Sequence, residues 1–151
     1  MNSEAIKKYL LNNLPYQKPF IFVDSITEID EAKIKGNYTF RADEAFYKGH
    51  FSEFPVTPGV LLLETMGQIG LVCFGMFLLK IWKTNEKIFP VLSHVTSDFH
   101  CKILPGETVT VISEKIYFRN NILKCAISLI NSKEETVVTT TAICTFTKSI
   151  K

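Results

Sequence analysis

Hydrophobic positions along the chain change their spacing several times, and each change predicts a different element. Near the start, Ile6, Tyr9, Leu10 and Leu14 share one helical face, with Ser3 placed to cap the helix and Pro15 to stop it. Phe20-Ile21-Phe22-Val23 follows Pro19 as an unbroken apolar run, the pattern of a buried strand. Residues 33–40 read as a second strand after the charged turn at Asp30-Glu31, and residues 42–48 as a helical turn. Residues 60–82 are apolar nearly all round, which predicts a helix buried on most sides. Thr57-Pro58-Gly59 supplies its start, with threonine as N-cap and proline as first helical residue. Gly67, Gly70 and Gly75 weaken helix propensity, so another backbone is expected to approach closely there.

Beyond Pro90 the period becomes two. Residues 91–101, 108–118, 122–130 and 136–147 are β-branched alternating runs. Polar turns at Arg119-Asn120-Asn121 and Asn131-Ser132-Lys133 join the last three as an antiparallel meander. No linker, repeat or low-complexity tract interrupts residues 1–151, so one domain is expected. A helix this apolar has to be covered on most sides, which predicts an α+β fold: a long central helix wrapped by a curved antiparallel sheet of five or six strands.

Composition narrows the function classes. Seventeen basic and fifteen acidic residues give a net charge of +2, and only Arg41 and Arg119 are arginines. No basic patch for nucleic acid is evident. The four cysteines, Cys73, Cys101, Cys125 and Cys144, have neither disulfide-framework nor metal-ligand spacing and read as core thiols of a reduced, cytoplasmic protein. Glu64 and Gln68 interrupt the one segment that could mimic a membrane span, which makes a buried soluble helix the better reading.

The chemistry gathers in Gly49-His50-Phe51-Ser52-Glu53-Phe54-Pro55-Val56-Thr57-Pro58-Gly59, followed by Glu64. Glu64 stands inside the apolar helix, where burial raises a carboxyl pKa. Pro55 and Pro58 stiffen the connection, and either X-Pro bond is a candidate for the cis form. Gly59 places a backbone N–H at a helix start, where developing negative charge is favoured. A base, a buried acid and an oxyanion donor are what proton removal beside a carbonyl requires. Taken singly, His50 is also compatible with a structural role, and Glu64 with satisfying a backbone group. His94 and His100 lie in strand-like runs and read as structural.

This stretch resembles the active-site signature of the FabZ-type 3-hydroxyacyl-acyl-carrier-protein dehydratases, G-H-F-P-G-N-P, one residue, M-P-G-V, three residues, E. Gly49-His50-Phe51, Pro55, Pro58-Gly59-Val60 and Glu64 match it without an insertion. Leu14-Pro15, Pro19-Phe20, Val23-Asp24, Phe99 and Pro105-Gly106 are similar to flanking family elements. The resemblance implies the hot-dog fold and sites shared across a homodimer, alone or as a trimer of dimers. By it, His50 removes the C2 proton of a 3-hydroxyacyl thioester and Glu64 of a second subunit protonates or orients the leaving hydroxyl. Gly59 holds the thioester oxygen, the Val56 carbonyl orients His50, and Gln68 bonds to Glu64. It implies no metal or redox cofactor, only a substrate carried on the phosphopantetheine of an acyl carrier protein. Ser52-Glu53-Phe54 replaces P-G-N, Thr57 replaces methionine, and Tyr16-Gln17 replaces H-R in the upstream motif. These departures fit a specialised relative, for instance one serving polyene or secondary acyl-chain synthesis, with a different hot-dog subunit as a further partner. A non-catalytic acyl-binding or scaffolding subunit and a hot-dog thioesterase are the alternatives.

Overall fold

A computed structural model describes residues 1–148. Helix α1 (Ser3–Asn12) is capped by Asn2, whose Oδ1 accepts the Ala5 N–H at 2.8 Å, so the cap lies one residue before the expected Ser3. The expected face holds: Leu10 is buried, and Ile6, Tyr9 and Leu14 pack against the core. Strand β1 (Ser25–Ile29) follows, then β2 (Lys33–Thr39) and a 3-10 turn (Ala45–Lys48). The central helix α2 (Gly59–Leu78) ends before a short helix α3 (Ile81–Thr84). Four long strands follow: β3 (Phe89–Phe99), β4 (Thr108–Arg119), β5 (Ile122–Ile130) and β6 (Thr136–Thr147).

All six strands form one antiparallel sheet in the order β1-β2-β4-β5-β6-β3. The expected meander is present as β4-β5-β6, but β3 crosses over to pair with β6 and ends one edge of the sheet. The apolar run 20–23 is not a strand. Phe22 and Val23 are buried, yet the sheet begins only at Ser25, because the backbone of residues 20–22 is paired with a side chain of α2 instead. The short strand β1 was not anticipated; one buried residue, Ile26, is too little to produce a period-two signal.

The alternating faces of β4, β5 and β6 close over α2. Val109, Val111, Leu123, Cys125, Leu129, Val137 and Val138 are all fully buried, as are Ile69, Cys73 and Phe74 of the helix. Each Å² of apolar surface that this interface removes from water contributes about 25 cal/mol to stability. Within α2, residues Gln68–Cys73 take a π-helical turn. The Gly70 carbonyl there accepts the buried Ser113 hydroxyl at 2.8 Å, a side-chain partner at a disturbed stretch of the ladder. What approaches the helix glycines is side chain, not backbone. A Cβ on Gly75 would meet the Phe146 ring at 1.9 Å, and one on Gly70 would meet Ile127 and Ser113 at 3.0 Å. A Cβ on Gly67 would meet nothing within 4 Å.

All four thiols are free, and burial pushes Cys73 and Cys144 up to about 12. Cys101 departs from the expectation, because the chain leaves the sheet at Phe99 and exposes it. By length and hydropathy α2 could cross a membrane, but 67% of its apolar window is buried inside the fold, as a core helix requires.

Candidate functional site

The site is built on the loop between the 3-10 turn and α2. The Phe46 carbonyl accepts the N–H of both Gly49 (3.2 Å) and His50 (3.1 Å), which fixes the chain as it enters the loop. The loop then folds back on itself. The Val56 N–H donates to the His50 carbonyl at 3.0 Å, while the Val56 carbonyl lies 2.9 Å from His50 Nδ1. A carbonyl oxygen can only accept, so Nδ1 carries the hydrogen in this contact and Nε2 of the neutral ring is left with its lone pair. The half-buried imidazole stacks on Phe51, ring centroids 4.1 Å apart.

Ser52-Glu53-Phe54 forms a tight reversal, with Phe51 and Phe54 exchanging backbone hydrogen bonds of 3.1 and 3.0 Å. Both rings are more than half exposed, and the Lys102 ammonium sits 5.0 Å from the Phe54 centroid. Among the described residues the cis peptide bonds are Lys18-Pro19 and His50-Phe51, not the bonds before Pro55 or Pro58.

The helix start is displaced by one residue from the expected position. Pro58, at φ −57° and ψ 133°, is the capping residue and Gly59 the first helical one. Thr57 does not cap: its hydroxyl is buried against the Tyr47 hydroxyl at 2.6 Å, and its N–H donates to the Ile103 carbonyl. The Gly59 N–H consequently heads the helix, where no intrahelical acceptor exists for it. The Phe99 ring lies over this glycine, 3.2 Å from where a Cβ would stand.

Glu64 lies five residues further on. Burial pushes its carboxyl above the usual range, and a hydrogen bond from Gln68 partly opposes that shift. Gln68 Nε2 donates to Glu64 Oε1 at 3.0 Å and to the Phe20 carbonyl at 3.0 Å, while its Oε1 accepts the Phe22 N–H at 2.8 Å. Fully buried Gln68 thus has every amide group engaged and ties the 20–22 segment to the carboxyl. These long-range bonds, 46 and 48 residues apart, left no signal in the sequence.

Glu64 opens onto a cavity of about 370 Å³ between α2 and strands β3, β5 and β6, with Tyr16, Gly67, Leu71, Leu92 and Cys144 among its walls. His50 is not among the residues that line it. Tyr16, which the sequence marked only as a departure, is the wall residue that sequence reasoning missed. His94 and His100 are exposed and touch Thr96 and Thr139. Among the described residues no three His, Cys, Asp or Glu side chains gather as a metal-binding group.

Known proteins resemble this chain in both sequence and fold. Residues 14–144 match the model of the FabA-like domain. The 3-hydroxyacyl-acyl-carrier-protein dehydratase FabZ of Petrotoga mobilis is 34% identical over 125 residues, 82% of this chain and 83% of that protein. FabZ of Clostridioides difficile is 32% identical, again over 82% of each chain. Among solved structures, the dehydratase heterocomplex ApeI:P from Xenorhabdus doucetiae superposes with a TM-score of 0.74 over 94% of this chain and 91% of that one, at 12% identity. The Escherichia coli PaaI protein gives 0.60 over 94% and 88%, at 16% identity. At those identities the structures speak for the fold alone, a helix wrapped by an antiparallel sheet in the hot-dog manner. The match over nearly the whole domain, joined to the FabZ relatives, places this chain in the FabA-like family, as a member of its FabZ type.

Proposed function

We propose that the protein is a hydro-lyase of fatty-acid biosynthesis that removes water from (3R)-3-hydroxyacyl thioesters on acyl carrier protein, giving trans-2-enoyl thioesters. The observation that carries this reading is a pair of titratable groups prepared for opposite tasks. His50 has its acceptor nitrogen free, and Glu64 has a carboxyl that burial biases toward the protonated form. His50 Nε2 takes the C2 proton, and the electron pair passes through enolate character on the thioester oxygen, where the Gly59 N–H donates. As the C2–C3 double bond forms, the C3–O bond breaks. Glu64 gives its proton to the departing hydroxyl, which leaves as water. Val56 holds the imidazole by its carbonyl, and Gln68 holds the carboxyl.

The two groups meet across subunits in this proposal. Strand β3 is a sheet edge of 11 residues, exposed along most of both faces. Its Leu92, Val95 and Phe99, with Val60 at the head of α2, form an apolar surface beside the Glu64 cavity. An edge of this length and character calls for a partner strand. A second copy of the chain would supply it and bring its own His50 toward Glu64. The substrate arrives on a phosphopantetheine arm in the cytoplasm, with no other cofactor.

Turnover of 3-hydroxyacyl carrier protein and hydration of the enoyl form, followed by mass spectrometry, test the assignment. His50→Ala and Glu64→Gln should each lower kcat by roughly 10²–10⁴-fold. No turnover by the wild type at any chain length would overturn it, and hydrolysis of the thioester as main outcome would replace it with a thioesterase. Native mass spectrometry showing only monomer would defeat the shared site.

A further inference from the structure

Tyr16 stands on the walls of two separate spaces. One is the 370 Å³ cavity that Glu64 lines. The other is a groove of about 680 Å³ bounded by Tyr9, Leu14, Met76, Ile81 and Phe89, beneath the end of α1. Among the described residues no other lines both. We propose that the Tyr16 ring is the partition that ends the acyl cavity, and that it sets the longest acyl chain this enzyme accepts; the proposal rests on the dehydratase reading.

Three observations fit a fixed partition. The ring packs against Phe20, centroids 6.0 Å apart, and the Phe20 carbonyl is held by Gln68 of α2, so the segment carrying Tyr16 is anchored to the helix that carries the carboxyl. Its hydroxyl makes no hydrogen bond among the described residues, which leaves the ring's position to packing rather than to a polar tether. Burial and the neighbouring Glu64 raise its phenol above the ordinary value, so it stays uncharged beside an alkyl chain. On the near side, Gly67 leaves open space where any side chain would enter the cavity. The far groove adjoins the ring on the other side, and its walls are mixed, apolar at Leu14, Met76 and Ile81 and polar at Asn13, Asn85 and Lys87.

The test is a chain-length profile on the full-length protein, with 3-hydroxyacyl carrier proteins of four to sixteen carbons, for wild type, Tyr16→Ala, Tyr16→Phe and Tyr16→Trp. Binding of saturated acyl-pantetheines over the same lengths, by calorimetry, is measured in parallel. Tyr16→Ala should raise kcat/KM for long chains relative to short ones by about tenfold, because added methylenes then find room beyond the ring along Leu14, Met76 and Ile81. Tyr16→Phe should keep the wild-type cut-off, and Tyr16→Trp should keep it or move it to shorter chains. A folded Tyr16→Ala with an unshifted profile overturns the partition, and so does a Tyr16→Phe that behaves like Tyr16→Ala. If Tyr16→Ala fails to fold, a Tyr16→Leu profile with unchanged cut-off is equally fatal. A wild type that turns over nothing sinks the dehydratase reading, while the binding profile alone still decides the partition.

Discussion

The two halves of the central helix are both mostly apolar and carry two glycines each, yet their surroundings are opposite. From Gly59 to Gly67 the helix is partly open, with Val60 exposed, Glu64 half-buried and Gly67 facing empty space. From Gln68 to Gly75 it is sealed on all sides, and the glycines there are occupied by Ser113, Ile127 and Phe146. One half is shaped by what must stay vacant and the other by what must be filled. The lesson is that a glycine in a buried helix has two distinct physical explanations, and only its neighbours tell them apart.

Substitutions separate the halves. The largest effect is expected from Gly75→Ala. Its Cβ would overlap three atoms of the Phe146 ring, which is itself buried. Overpacking of this kind should cost about 3 kcal/mol in chemical denaturation. A loss below 1 kcal/mol would show the sealed half to be more plastic than its packing implies. Next comes Gln68→Leu at the junction, which keeps volume but strands the buried Phe22 N–H. About 2 kcal/mol of stability should go, together with activity, because the Glu64 carboxyl loses its partner.

Gly67→Ala should reverse the sign. With nothing within 4 Å of the new methyl, helix propensity alone should stabilise by up to about 1 kcal/mol. Turnover of bulky substrates should fall as the cavity narrows, and a destabilised Gly67→Ala would remove the distinction between the halves. The smallest effect concerns pH. Since burial raises the folded-state pKa of Glu64, its contribution to stability is fully present below the unfolded carboxyl value. That contribution is lost as pH rises through the folded value. Glu64→Gln should therefore flatten the stability–pH curve across that acid-side window, and wild-type and variant curves that stay parallel there would contradict the shift.

Much of the fold was legible because local periodicity carries it. Strands 122–130 and 136–147 were read to the residue, since alternating burial on a one-sided sheet imposes a period of two. The apolar run at 20–23 misled for the opposite reason. Its burial comes from Gln68 and neighbouring rings rather than from a ladder, and burial without periodicity does not specify an element. At the helix start, Pro58 and Thr57 were assigned one position too early, because Thr57 found a buried partner in Tyr47 that no local pattern announces.

The sequence by itself determined most element types and the α+β class, and it marked His50 and Glu64 as the candidate pair, because period, residue type and short spacing are local properties. Tertiary structure alone decided which glycine borders a void, that Gln68 engages a segment nearly fifty residues away, and that Tyr16 borders two spaces. A cavity is a property of residues that meet from opposite ends of the chain, here from Tyr16 to Cys144, and no local pattern records where side chains fail to touch.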